Sequence, residues 1–196
     1  MNCEVAYLFG KGPGLDHVKW GYLRLDALRF AVNHAILAVP RVDYGVCTDR
    51  ALYMQDRWPA GCVAVVPDRF AERAIAQRAE AVMAFKPRYR YSQQKPYELE
   101  CYTDHRKEIL TLPNSELYVE HSSIVTALHL AWRMGARTVY TAGIHDGDGF
   151  AACIERVIER TGKEFTNPAS AESYNAGYRV FLEIAEILGV TIKPMF

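Results

Sequence analysis

Glu4-Val5-Ala6-Tyr7-Leu8-Phe9-Gly10-Lys11-Gly12-Pro13-Gly14 is the stretch that decides the fold class. Glu4 to Phe9 reads as a first strand. It runs straight into a glycine-rich turn in which Pro13 suits the first position of a helical segment. Glycines there allow a tight turn and leave room for a ligand to approach main-chain N–H groups. The spacing is neither a Walker A loop nor Gly-x-Gly-x-x-Gly, so a plain strand-to-helix turn stays open beside phosphate binding.

Outward from that stretch, β-branched runs alternate with helical periodicity, the pattern of an α/β domain with a mostly parallel sheet and helices on both faces. Strands are expected at Leu28–Asn33, Val42–Thr48, Cys62–Val66, Ala81–Phe85, Leu117–Val119, Thr138–Ala142 and Val190–Ile192. A helical turn is expected around Leu15–Tyr22, and helices at Asp49–Gln55, Phe70–Glu80, Ala151–Arg160 and Ala171–Leu188. The clearest helix carries Ile124, Val125, Leu128, Ala131 and Trp132 on one face and is ended by Gly135. Residues 86–115 keep neither period, which suggests a lid inserted in a single domain spanning 1–196.

The chain has 196 residues, with 23 Lys+Arg against 23 Asp+Glu, and half of them are hydrophobic. That composition is globular rather than disordered, and the zero balance argues against general nucleic-acid binding. No apolar run is long enough for a membrane span, and the first residues lack the features of a signal peptide. Five scattered cysteines with no Cys-x-x-Cys pair read as reduced thiols of a cytoplasmic protein. A homo-oligomer stays open.

Ligands of open α/β sheets sit beyond the carboxyl ends of the strands, where strand order reverses. This rule gathers Gly10–Gly14, Asn33-His34, Thr48-Asp49 and Gly143–Gly149 onto one edge, with the helix start at Glu120–Ser123 able to join them. Asn33 could bond a base, ribose or phosphate, or cap a helix. Asp49 is an N-cap or, with Asp43, a metal ligand. Ser122 and Ser123 open the strong helix, where hydroxyls and free N–H groups suit an anion, although capping needs only one of them. His145 has the pKa range of a general base, and Asp146 or Asp148 could orient it or bind metal; the same loop also reads as a polar turn. His129 is given no role. Arg88, Tyr89, Tyr91 and Tyr97, with Arg90, Lys95 and Tyr102, could close over a phosphorylated ligand, or form an edge hairpin.

Two pieces resemble a known group of proteins. Leu8-Phe9-Gly10-Lys11-Gly12-Pro13-Gly14-Leu15 with Val32-Asn33 is one. Ser122-Ser123 with Ala127, Ala131, Met134-Gly135-Ala136, Val139-Tyr140 and Ala142-Gly143-Ile144 is the other. Together they resemble the sialyltransferase-like and DUF115-like nucleotide-using transferases, which include bacterial glycosyltransferases and 6-hydroxymethylpterin diphosphokinases. The resemblance implies a Rossmann-like domain in which Gly10, Gly12, Pro13, Asn33, Ser122 and Ser123 hold the phosphates and sugar of a nucleotide; Lys11, Gly14 and Asp49 join the expected nucleotide site by their place in the same loops. Gly14 replaces the usual Ser of that pattern and His145 stands where an Asp closes it; no His follows residue 145.

The expected function is therefore a nucleotide-dependent transferase, moving a sugar from a nucleotide-sugar to a small-molecule or glycan acceptor. Lys11 or Arg88 would offset leaving-group charge, and His145 or Asp146 would deprotonate the acceptor. No cofactor is firmly implied. The alternatives are diphosphate transfer from ATP, which requires Mg²⁺ held by Asp43, Asp49 or Asp146, and a nucleotide-binding module without chemistry.

Overall fold

The computed structural model describes residues 3–48, 58–89, 108–120, 122–144, 149–161 and 171–196. Their strands are β1 (Val5–Phe9), β2 (Leu28–Val32), β3 (Tyr44–Val46), β4 (Val63–Pro67), β5 (Ala81–Tyr89), β6 (Glu116–Val119), β7 (Thr138–Ala142) and β8 (Thr191–Pro194). The helices are α1 (Ala35–Ala38), α2 (Ala71–Ala76), α3 (Ser123–Arg133), α4 (Ala152–Thr161) and α5 (Ala171–Leu188). All the strand pairs are parallel, in the order β6-β5-β4-β3-β2-β1-β7-β8. The chain steps outward from β1 to β6, then crosses back through α3 to place β7 on the other side of β1. The reversal of strand order thus falls between β1 and β7.

Burial on both faces explains the sequence. From Ala6 to Phe9 every residue of β1 is buried, so neither face can carry an alternating polar set. Leu8, Phe30 and Val65 face a core formed with Val125, Leu128, Phe181 and Ile184 of α3 and α5. Phe9, Ala31 and Val66 face the opposite core, with Leu15, Ile36, Ala74 and Ile154 from the 3-10 turn Pro13–His17 and from α1, α2 and α4. The Rossmann-like α/β fold with helices on both faces is the architecture observed.

Local details differ from the expectations. The turn after β1 is two 3-10 pieces, Pro13–His17 and Trp20–Tyr22. Helix α1 is only four residues long, too short to leave a periodic signal. The helix expected at Phe70–Glu80 is a 3-10 turn at Asp68–Phe70 followed by α2, and Arg78 takes a left-handed conformation (φ 61°) beyond it. The largest correction concerns residues 86–115. Strand β5 continues through Lys86-Pro87 to Tyr89 and carries β6 on that extension, Arg88 opposite Tyr118. Pro87 disguises the strand because it has no N–H to give a ladder. Residues 108–115 of the expected lid hold a 3-10 turn at Glu108–Leu110 and lead into β6, while residues 90–107, with Tyr91 and Tyr97, lie outside the described residues, as does the helix expected at Asp49–Gln55. No helix among the described residues is long and apolar enough to cross a membrane.

Candidate functional site

The first two loops of the expected crevice meet backbone to backbone. The Gly10 N–H donates to the Ala142 carbonyl (2.9 Å) and the Gly12 N–H to the Gly143 carbonyl (2.8 Å). A Cβ on Gly143, whose φ is +70°, would lie 2.7 Å from the Gly10 carbonyl oxygen, and one on Gly10 would strike the Gly143 carbonyl. Both glycines are therefore required by close approach of two main chains. Two of the amides expected to cradle phosphate are already engaged by protein carbonyls.

Helix α4 is similarly committed. Asp16, on the 3-10 turn after the glycine loop, accepts the N–H groups of Ala152 and Cys153, and the Lys11 carbonyl accepts the Ala151 N–H. Burial pushes the Asp16 carboxyl up, but the two backbone bonds, the Cys153 side chain and the Arg156 charge outweigh it and hold the group below its usual value. The chain's own carboxylate sits where an anion would bind.

Helix α3 begins differently. Its N-cap is Ser122, in extended conformation, and no side chain among the described residues caps it. The Ser122 Oγ is buried and has no hydrogen-bond partner among the described residues. Ser123, 1% exposed, turns its hydroxyl toward the carboxyl ends of β2 and β3. It accepts the Thr48 N–H (3.2 Å), shares a 2.8 Å hydrogen bond with the Thr48 hydroxyl, and donates to Asn33 Oδ1 (3.3 Å). Asn33 is one of two non-glycine residues with positive φ among the described residues (52°), and its carbonyl accepts the Ile36 N–H at the start of α1. Its side chain does not cap α1, whose N-cap position is His34. Asn33, Thr48, Ser122 and Ser123 thus come together at the carboxyl edge of β2 and β3.

Beside them lies a buried acid whose side chain the sequence left without a role. Glu120, 2% exposed, accepts the hydroxyl of Tyr118, itself 2% exposed (2.7 Å). The signal is their i, i+2 spacing, which puts both on one face at the end of β6. The same strand is bonded to α3: Thr126 Oγ1 donates to the Tyr118 carbonyl and the Tyr118 N–H donates to His129 Nδ1 (3.0 Å). His129 is fully buried and structural, its pKa pushed down to about 3 by desolvation and then by Arg133.

On the other side of Asn33, Lys11 Nζ stands 5.1 Å from the centre of the Phe150 ring. Desolvation first, then the Lys11 charge, push the neighbouring His34 down to about 4, so this buried imidazole is neutral. Pro13 and Gly14 open the 3-10 turn, with Gly14 buried.

Asp43 requires a correction. It precedes β3 at the amino end of the sheet, where it accepts the Arg29 N–H (2.9 Å) and pairs with Arg41 (3.1 Å). It cannot share a metal with residues at the carboxyl edge, because β3 runs between them. Arg88 lies on β5, more than half exposed, with Glu108 3.5 Å away, and Tyr89 ends that strand. Asp49, His145, Asp146 and Asp148 lie outside the described residues. Among the described residues no group of three His, Cys, Asp or Glu is placed to hold a metal ion.

No family model matches the chain, and neither does any curated protein. Among solved structures it is similar to the monofunctional α-2,3-sialyltransferase Cst-I from Campylobacter jejuni, at 14% identity and a TM-score of 0.42, over 98% of this chain and 76% of that one. It is also similar to an α-2,3-sialyltransferase from Campylobacter jejuni in apo form, at 12% identity and a TM-score of 0.39, over 98% of this chain and 75% of that one. Both are distant likenesses of fold.

Proposed function

We propose that the chain is a nucleotide-dependent transferase that moves a glycosyl unit from a nucleotide sugar to a small-molecule or glycan acceptor. The observation that carries this reading is the carboxyl-edge cluster. Ser122 brings a buried hydroxyl with no partner among the described residues to the start of a helix that none of their side chains caps, and Asn33 bonds Ser123, the next residue. A buried hydroxyl left unpaired costs about 1–3 kcal/mol, which a bound oxygen recovers. The helix start adds N–H groups and a favourable dipole for a phosphate.

In this reading the phosphate next to the sugar rests on Ser122 and the start of α3, with Asn33 beside it. Lys11 offsets the charge that develops as the nucleotide leaves. The loop after β7 supplies His145 or Asp146 to take the acceptor's proton.

The test is thermal shift of the purified chain with nucleotides and nucleotide sugars, with and without Mg²⁺. A ligand at a hundredfold excess over its Kd stabilises the folded state by about 2.7 kcal/mol. A shift with one nucleotide sugar that does not need Mg²⁺, followed by slow hydrolysis of that sugar without acceptor, supports the proposal. A shift only with Mg-ATP moves the assignment to diphosphate transfer. Binding without turnover leaves a nucleotide-binding module, and no shift with any nucleotide rejects the site.

A further inference from the structure

The Asn33–Ser123 contact carries a statement about ligand selection, which rests on the function proposed above. Asn33 offers an acceptor at Oδ1 and two donors at Nδ2, and which end faces a ligand depends on what holds the other end. Oδ1 accepts the Ser123 hydroxyl, and no acceptor among the described residues meets Nδ2. Ser123 also accepts the Thr48 N–H and shares a hydrogen bond with the Thr48 hydroxyl, which together hold it beside Asn33. Ser123 is 1% exposed, so it has little surface left to offer a ligand, whereas Asn33 is only partly buried.

We propose that Ser123 is a positioning residue rather than a nucleotide ligand: it holds the Asn33 amide with Nδ2 outward, so the site selects a ligand oxygen that accepts hydrogen bonds, an ionised phosphate oxygen. Asn33 makes the contact and Ser123 sets its orientation. The left-handed backbone of Asn33 fits this role, because asparagine tolerates that conformation better than most residues and carries a donor with it.

The experiment compares four chains: wild type, Asn33→Asp, Ser123→Ala and Ser123→Thr. Each is titrated calorimetrically with a panel of nucleoside 5′-monophosphates, after thermal melts establish that it is folded. Asn33→Asp replaces the outward donor with an oxygen anion at neutral pH. It should lower affinity at least tenfold at pH 7, the scale of a hydrogen bond to a charged group. The ratio to wild type should shrink as pH falls toward 4.5 and the new carboxyl protonates. The neighbouring His34 stays neutral over most of that range, and the ratio to wild type at each pH removes the change in the ligand phosphate's own charge. Ser123→Ala releases the amide and should weaken binding severalfold, while Ser123→Thr, which keeps a hydroxyl for Asn33 Oδ1, should recover most of that affinity.

Asn33→Asp affinity equal to wild type at every pH overturns the orientation, since an oxygen would then already face the ligand. Equal losses from Ser123→Ala and Ser123→Thr overturn the positioning role and leave Ser123 a structural link. Absence of binding by wild type to every monophosphate rejects the proposed function itself, an outcome distinct from either of these.

Discussion

Gly10 and Gly143 touch main chain to main chain across the crevice between β1 and β7, each occupying the space a side chain on the other would need. The contact joins two loops that are more than a hundred residues apart. It is reinforced by the hydrogen bonds from Gly10 N–H to Ala142 and from Gly12 N–H to Gly143. The glycine loop, which a sequence reader associates with phosphate, is used here to weld the sheet edge together.

Gly10→Ala should therefore destabilise the chain, by about 3 kcal/mol or more, since backbone rather than a flexible side chain must yield. Gly177→Ala is the matched control. Its Cβ would meet nothing within 4 Å, and it lies inside α5, so the change should stabilise by about 0.5–1 kcal/mol. Urea denaturation of the two variants checks both signs. A stable Gly10→Ala chain would mean that the two loops do not touch.

Ser122→Ala separates a binding hydroxyl from a structural one. With no partner for Oγ among the described residues, its removal should leave the melting temperature unchanged or slightly raised. Affinity for the preferred nucleotide should fall severalfold in the same preparation. A drop in stability with unchanged affinity would assign the hydroxyl to the fold.

Asp16→Ala removes the acceptor of two N–H groups at the start of α4 and should cost about 1 kcal/mol at pH 7. The carboxyl of the folded chain lies below its usual value. Its contribution is thus fully present above the ordinary carboxylate range and is lost as pH falls through the lowered value. The gap between wild type and Asp16→Ala should narrow from pH 5 downward, as read by denaturation at successive pH values.

His34 and His129 set the acid limit. Their pKa values are pushed down to about 4 and about 3, so the unfolded chain binds more protons below pH 6.5. The stability they permit is complete above about pH 6.5 and declines as pH falls toward those values. Each contributes a slope of at most about 1.4 kcal/mol per pH unit. His34→Gln should flatten the stability profile between pH 6 and pH 4 by roughly one histidine's share, which denaturant midpoints across that range would register.

By itself the sequence determined the α/β architecture, because short apolar and β-branched runs such as Val5–Phe9 alternate along the chain with helical periodicity. It also determined α3, whose apolar face repeats at the helical period over three turns, and the meeting of loops at the carboxyl edge follows from parallel topology. The extension of β5 was hidden because Pro87 breaks the local pattern while the edge pairing tolerates it. Only the tertiary structure decided which polar group does what. Ser123 finds Thr48 75 residues away and Asn33 90 residues away, and Asp16 caps a helix 136 residues further on. A serine's hydroxyl or an aspartate's carboxylate has the same local propensity whichever partner it meets. Its role is fixed by long-range hydrogen-bond geometry, which arises only when the strands are brought side by side.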